Sequence, residues 1–372
     1  MQWYGRRTIA YVLLGCTVFM SLIVYHLHYG RLVQMSSGSS MTSSRPVNRS
    51  SSFISQSRDK SSDYKTLLQT DRPVEPPNDV GVYFSVKTTK RNYEERLALL
   101  MMTWFKVVEN KVTVISDGSD NNTFVNKARK EGLEFFISDC SEDHSMNGLC
   151  CKLGEEFAAY YRAREKHQND ERYKWFCHFD DDIYVNMPRL NQLLRQYDPD
   201  QPYYFGKWHE KNHNCPYLPL NLIGKTDVRM KKGNYTPKQK VYQFATGSSF
   251  CISSALMTEA EKYFNGKGAY GVSCSIPQRS DDVTAGFIIG ILLGHNLTSV
   301  ADFNSQFDKL STLEDTLHSI TISYTTKQVK QKSGTVKTIV PLVPVDPIFD
   351  NDPTRFMSYH CLLYPDVSWC KR

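Results

Sequence analysis

Between residues 80 and 179 short apolar runs alternate with segments whose apolar residues recur at helical spacing, and this alternation constrains the fold more than any other feature of the chain. Residues 80–86 (VGVYFSV), 111–116, 133–138 and 175–179 read as strands, and 93–105, 123–130 and 149–166 read as helices. Strand and helix in alternation predict an α/β fold: a Rossmann-like, mostly parallel sheet flanked by helices, with its ligand crevice at the carboxyl ends of the strands. Further along the pattern is less regular. A strand is expected at 241–244, helices at 253–264 and 280–293, and a strand at 320–324, with no internal repeat.

Residues 8–27 (TIAYVLLGCTVFMSLIVYHL) contain no Asp, Glu, Lys or Arg, which is enough apolar chain to cross a bilayer. Arg6 and Arg7 precede the run, and His28, Tyr29, Gly30 and Arg31 follow it rather than a cleavage site of small residues. The expectation is an uncleaved signal-anchor in type II orientation, with a cleaved signal peptide as the alternative. Either places the remainder in the secretory lumen. The ensuing stretch to residue 78 is Ser-rich, with too few large apolar residues for a core, and reads as a flexible stem. The expected organisation is therefore a cytoplasmic tail 1–7, an anchor 8–27, a stem 28–78 and one folded domain 79–372. The whole chain is 40% hydrophobic and 12% aromatic, the composition of a globular protein able to bury a large core.

A net charge of +6, with no long Lys/Arg block, makes nucleic acid a poor partner. Of ten cysteines, nine lie beyond the apolar span with no C-x-x-C pair, as expected of an oxidising compartment rather than of a zinc ribbon. Sequons at Asn48, Asn121, Asn234 and Asn296 are compatible with it.

Asp180, Asp181 and Asp182 follow directly on the 175–179 run, so three carboxylates stand where a strand ends and the crevice begins. Clustered carboxylates repel unless a cation neutralises them, and hard oxygen ligands suit Mn²⁺ or Mg²⁺ held jointly with substrate phosphates. Such a triplet can also be a solvated acidic turn. A second pair, Asp281 and Asp282, opens the 280–293 helix. There carboxylates serve either as N-terminal residues favoured by the helix dipole or as a general base facing the crevice. Spacing alone does not separate those readings.

The segments VKTTK (86–90) with Arg96, SDCSEDHS, CCKLGEEF, KWFCHFDDDIYVN (174–186), FATGSSFCIS (244–253), SDDVTAGF (280–287), ITISY and RFMSYHCLLYPDVSWC (355–370) resemble, in order and spacing, the Fringe family. The resemblance implies a GT-A fold and an inverting β-1,3-N-acetylglucosaminyltransferase. Such an enzyme uses UDP-GlcNAc and Mn²⁺, or Mg²⁺, to extend O-linked fucose on the EGF-like repeats of Notch-type proteins, from the Golgi membrane, and so modulates Notch signalling. Carried onto this chain, it implies Asp282 as catalytic base, Arg96, Asp181 and Thr88 as donor-binding residues, Asp182 as metal ligand, and Asp281 as structural. The Phe244–Gly247 turn would line the donor pocket. It also implies disulfides pairing Cys140 with Cys151, Cys177 with Cys251 and Cys361 with Cys370, which leaves Cys150, Cys215 and Cys274 to be assigned; a Cys215–Cys274 bond is a guess.

One departure bears on mechanism. Where the family carries F-H-S-H, its second His a metal ligand, this chain reads Phe303-Asn304-Ser305-Gln306. Gln306 offers an amide oxygen, a neutral and weaker donor that hard cations still accept. The alternatives are an altered metal preference, a β-1,3-galactosyl- or glucosyltransferase acting on another acceptor, and a non-catalytic binding protein derived from a transferase. A hydrolase with paired carboxylates ranks last.

Overall fold

A computed structural model describes residues 80–167, 171–209, 242–247, 249–265, 270, 274, 280–331 and 334–371. The anchor and stem expectations for 8–78 fall outside these residues. Among the described residues no helix is long and apolar enough to cross a membrane.

The first half follows the expected alternation. Strand β1 (Val82–Lys87) leads through a π-helical turn, Tyr93–Leu97, into helices α1 (Ala98–Met102) and α2 (Trp104–Val107). The chain continues through β2 (Val112–Ser116), α3 (Thr123–Lys130), β3 (Glu134–Ile137), α4 (Met146–Lys166) and β4 (Trp175–Asp180). Caps set the helix starts: the Asn122 side chain accepts from Phe124 N and Val125 N at α3, and Ser145 accepts from Gly148 N at α4. The single helix expected over 93–105 is broken at Thr103, whose buried hydroxyl donates to Leu99 O at 2.7 Å while the backbone leaves helical geometry. Trp104 is thereby turned fully into the core.

Strands β5 (Tyr184–Val185), β6 (Tyr204–Gly206) and β7 (Ser249–Ser253) follow, with α5 (Met187–Leu194) between β5 and β6. Then come α6 (Ser254–Phe264), α7 (Asp281–Phe287) with a π-helical turn Ile288–Leu292, β8 (Thr298–Ser299), α8 (Leu313–His318), β9 (Thr321–Ile322), the hairpin β10 (Tyr324–Gln331) and β11 (Gly334–Pro341), and α9 (Phe356–Leu363). The main sheet runs β3-β2-β1-β4-β7-β6-β8. Pairs β3/β2, β2/β1, β1/β4 and β6/β8 are parallel; β4/β7 and β7/β6 are antiparallel. The sheet is thus mixed but mostly parallel, with helices on its faces.

Its central strands are buried on both sides, as parallel strands between helical layers must be. Val82, Phe84 and Val86 of β1 join one hydrophobic cluster with Trp104, Trp175 and Phe179, whereas Tyr83 joins a second with Phe157, Tyr160 and Phe176. Alternate side chains of a single strand therefore anchor two cores.

Two expectations are corrected. Residues 242–246 form no strand, because this backbone is wedged between neighbours that admit no ladder. A Cβ at Gly206 would stand 2.3 Å from Ala245 Cβ, and one at Gly286 2.4 Å from Phe244 Cβ. Thr246 N instead donates to Lys207 O and Ala245 N to the Tyr204 hydroxyl. Residue 241 lies outside the described residues. Of the strand expected at 320–324, Thr321–Ile322 form β9 and Tyr324 opens β10, whose long hairpin with β11 extends well past the expected range.

The cysteines form Cys140–Cys151, Cys150–Cys274, Cys177–Cys251 and Cys361–Cys370. The guessed Cys215–Cys274 bond is therefore wrong. Adjacent cysteines on a helix point about 100° apart, so Cys151 reaches Cys140 while Cys150, 1% exposed, faces inward toward Cys274. Cys215 lies outside the described residues.

Candidate active site

Parallel pairing brings the carboxyl ends of β1 and β4 level: Lys87 is the register partner of Asp180, so Thr88 and Thr89 lie beside Asp181 and Asp182. The first turn of α7 completes the other wall. Together they enclose a cleft of about 580 Å³, whose lining includes Thr88, Arg96, Asp181, Asp182, Asp282 and Gln306, all six residues expected in the site. The Phe244–Gly247 turn is not among the lining residues. It acts from behind, with Gly247 in the left-handed region at φ +87° and a Cβ there only 2.4 Å from Ser305 Cβ.

The three aspartates have three different environments. Asp181 is 5% exposed, and both its oxygens are occupied: Thr88 Oγ1 donates at 2.6 Å and Asn92 Nδ2 at 2.8 Å to Oδ2, and Arg96 at 2.8 Å to Oδ1. It ties the end of β4 to the π-helical turn that carries Arg96, a helix form frequent at functional sites. Asp180 lies 3.2 Å from Lys87 Nζ. Asp182 makes one longer contact, 3.3 Å to Arg96, and its backbone carbonyl accepts from the Ser323 hydroxyl at 2.9 Å. Burial first, then the charges of Asp180 and Asp181, push its carboxyl up to about 7, against the opposing pull of Arg96. Tyr324, at the start of β10, stacks under the Arg96 guanidinium with 5.9 Å to the ring centroid.

Across the cleft Asp282 accepts from Ser280 Oγ at 2.6 Å and from its neighbour Val283 N at 2.7 Å, both at Oδ1, which leaves Oδ2 without a hydrogen bond among the described residues. Burial and the adjacent Asp281 charge raise its carboxyl to about 6. Asp281 behaves oppositely: Lys87 forms a direct ion pair with it and outweighs burial, holding it below the ordinary carboxylate range. Ser280 does not cap α7 with its side chain, and neither acid accepts a hydrogen bond from the turn beyond Val283. Both acids nonetheless stand in the first turn of α7, where the helix dipole also favours them.

Gln306 sits on a loop held by Lys207, which donates to Asn304 Oδ1 at 2.7 Å and pairs with Asp308 at 2.8 Å. The Gln306 amide oxygen is buried with no hydrogen-bond partner among the described residues, an acceptor of the kind a cation or a ligand donor satisfies. Among the described residues no three His, Cys, Asp or Glu side chains converge as a metal site. The half-buried Asp182 carboxylate and the Gln306 oxygen both line the cleft, and both are donor types a hard cation accepts. That suits a hard divalent ion taking its other ligands from a diphosphate and water.

Sequence reasoning missed Lys87, Asn92 and Tyr324. Lys87 and Asn92 stand in or next to the VKTTK segment, so the signal was there: a lysine ending an otherwise apolar strand needs a buried acid. Tyr324 closes the ITISY segment, but nothing in the sequence placed it beside Arg96.

A family model described as Fringe-like matches residues 77–367. The Fringe glycosyltransferase of Drosophila melanogaster is 31% identical over 306 residues, 81% of this chain and 66% of its own length. The β-1,3-N-acetylglucosaminyltransferase lunatic fringe of Bos taurus is 33% identical over 305 residues, 81% of this chain and 72% of its own. The chain thus spans just under two thirds of the fly relative. Among solved structures, a mannosyltransferase of S. cerevisiae in complex with GDP covers 64% of this chain and 78% of its own, at TM-score 0.30 and 8% identity, a likeness too slight to weigh. With its family match running from the residues before β1 to the end of the described core, this chain belongs to the Fringe-like family.

Proposed function

We propose that the chain is an inverting β-1,3-N-acetylglucosaminyltransferase that moves N-acetylglucosamine from UDP-GlcNAc to O-linked fucose on the EGF-like repeats of Notch-type proteins. The observation that carries this reading is the pairing, within one cleft of a Fringe-like domain, of a cation-seeking acidic wall at Asp182 with a carboxylate of raised proton affinity at Asp282. Arg96 and Thr88, held by Asp181, bind the donor. Asp182 and Gln306 would hold Mn²⁺ or Mg²⁺, which when bound neutralises charge on the departing diphosphate. Asp282 takes the proton of the acceptor hydroxyl through Oδ2. The hydroxyl oxygen then forms its bond to the anomeric carbon from the face opposite UDP, and the carbon–oxygen bond to UDP breaks with its electron pair leaving on the phosphate, inverting the configuration. Holding donor and acceptor in line supplies much of the rate.

The four disulfides support an oxidising lumen. With the apolar run 8–27, this favours a single-pass type II protein of the Golgi membrane. Gln306 in place of the family histidine favours, as a second reading, a β-1,3-hexosyltransferase with another donor. The test incubates the full-length protein with an O-fucosylated EGF-like repeat and a panel of UDP-sugars, with Mn²⁺ or with chelator, and weighs the product. A metal-dependent gain of one N-acetylhexosamine from UDP-GlcNAc alone is expected. Gain from another donor selects the second reading, and no gain from any donor removes the O-fucose reading and points to another acceptor or to a non-catalytic relative.

A further inference from the structure

Lys87 ends β1 with its side chain 6% exposed, among acids contributed by three other elements. Its ammonium pairs with Asp180 of β4 at 3.2 Å and directly with Asp281 of α7, itself 8% exposed. Behind Asp180 lies His178, 3.6 Å from the same carboxylate oxygen and hydrogen-bonded through Nδ1 to Glu156 of α4 at 2.8 Å; both are essentially fully buried. The Tyr270 hydroxyl donates to the backbone carbonyl of Asp281. The position of the α7 first turn is thus fixed by two buried tethers, one to the backbone and one to the side chain of the residue preceding Asp282. A buried ion pair of this kind contributes little net stability, since desolvation offsets attraction, but breaking one side leaves an uncompensated charge. Such pairs specify geometry.

We infer that Lys87 and Asp281 are positioning residues for transfer: the pair registers Asp282 against the β4 end of the cleft and keeps a permanent negative charge beside it. The inference rests on the role proposed for Asp282. The titratable groups acting on Asp281 and Asp282 are Lys87 from β1, His178 from β4, Tyr204 from β6, Tyr270, and each acid on the other; Asp180 of β4 and Glu156 of α4 act on Lys87. Of these, Asp281 is the one whose charge raises Asp282. Converting Asp281 to Asn removes that charge while leaving Lys87 with Asp180 and leaving the backbone tether in place. The proton affinity of Asp282 then falls. Converting Lys87 to Met leaves the buried Asp281 and the partly buried Asp180 without their shared cation, and the turn shifts.

The test uses the full-length chain as wild type, D281N, K87M and K87M/D281N. Expected for D281N is an acid limb of the kcat/KM profile about one pH unit lower than in wild type, with UDP affinity within threefold. K87M is expected to lose at least 100-fold in kcat with UDP affinity likewise retained, and the double variant to regain at least tenfold over K87M because the buried Asp281 charge is no longer left without its cation. An unmoved acid limb in D281N overturns the inference, as does a K87M loss carried wholly by UDP affinity. Carbon NMR of the Asp282 carboxyl, assigned by its absence in D282N, reads the same shift without turnover. If wild type transfers no sugar, the functional reading fails while this titration still decides the role of the pair, and it also serves if K87M does not fold.

Discussion

At the scale of single residues, the consequence of building the site from carboxylates is that the protein holds charges it would be more stable without. Asp282 has a carboxyl at about 6 in the fold, against about 3.9 in an unfolded chain. Above pH 6 it is ionised in both states and the folded state carries the cost. As pH falls from 6 toward 4 the folded protein takes up the proton first, and the cost disappears. Asp282→Asn is therefore expected to abolish transfer and yet to raise the unfolding free energy at pH 8 by about 1 to 2 kcal/mol, allowing for partial exposure. That gain should vanish below about pH 4. Denaturant titrations at the two pH values check it; equal stability at pH 8 would mean that Asp282 is not held at raised proton affinity. The transfer rate of the wild type should correspondingly fall as pH drops through about 6.

At the scale of elements, the site depends on segments that line nothing. The 242–247 stretch lies behind the cleft, where the φ of +87° at Gly247 and its approach to Ser305 fix the loop bearing Gln306. Gly247→Ala introduces both backbone strain and a clash, and should cost about 2 to 4 kcal/mol. If transfer depends on Gln306, the variant should also need more Mn²⁺ for half-maximal activity, measured by metal titration at a temperature where it remains folded. Unchanged stability would show that Ser305 yields freely. Much at this scale was legible beforehand. The strands β1 to β4 and helix α4 follow from their periodicity, because each is long enough to show one. The two-residue β5, β8 and β9 have no period to read, and 241–244 looks like a strand because the glycines that preclude a ladder beside Phe244 and Ala245 stand elsewhere, at 286 and 206.

At the scale of the whole molecule, two cores lie on opposite faces of one sheet, and the cleft opens where their shared central strands end. The Cys150–Cys274 bond spans 124 residues of sequence, and joins α4 to the segment that supplies Tyr270 to Asp281. Replacing both cysteines by Ala should lower the unfolding free energy by about 2 to 5 kcal/mol. Transfer should fall more than UDP affinity, because the base side of the cleft is loosened and the β1/β4 side is not. Chemical denaturation and UDP calorimetry on the same variant separate the two effects; equal losses would place the bond's influence on the fold alone.

The sequence by itself determined the α/β class, the strand end that carries Asp180–Asp182 and the acids that open α7, because each is written in local pattern within a dozen residues or so. Tertiary structure alone decided that Asp181 is bonded on both oxygens, that Asp282 faces a cleft rather than capping a helix, and that Lys87 joins Asp180 to Asp281. It also decided that Cys274 pairs with Cys150. Those outcomes depend on groups 85 to 194 positions apart meeting in a low-dielectric interior, where proximity sets charge state and partner choice and no short-range pattern records it.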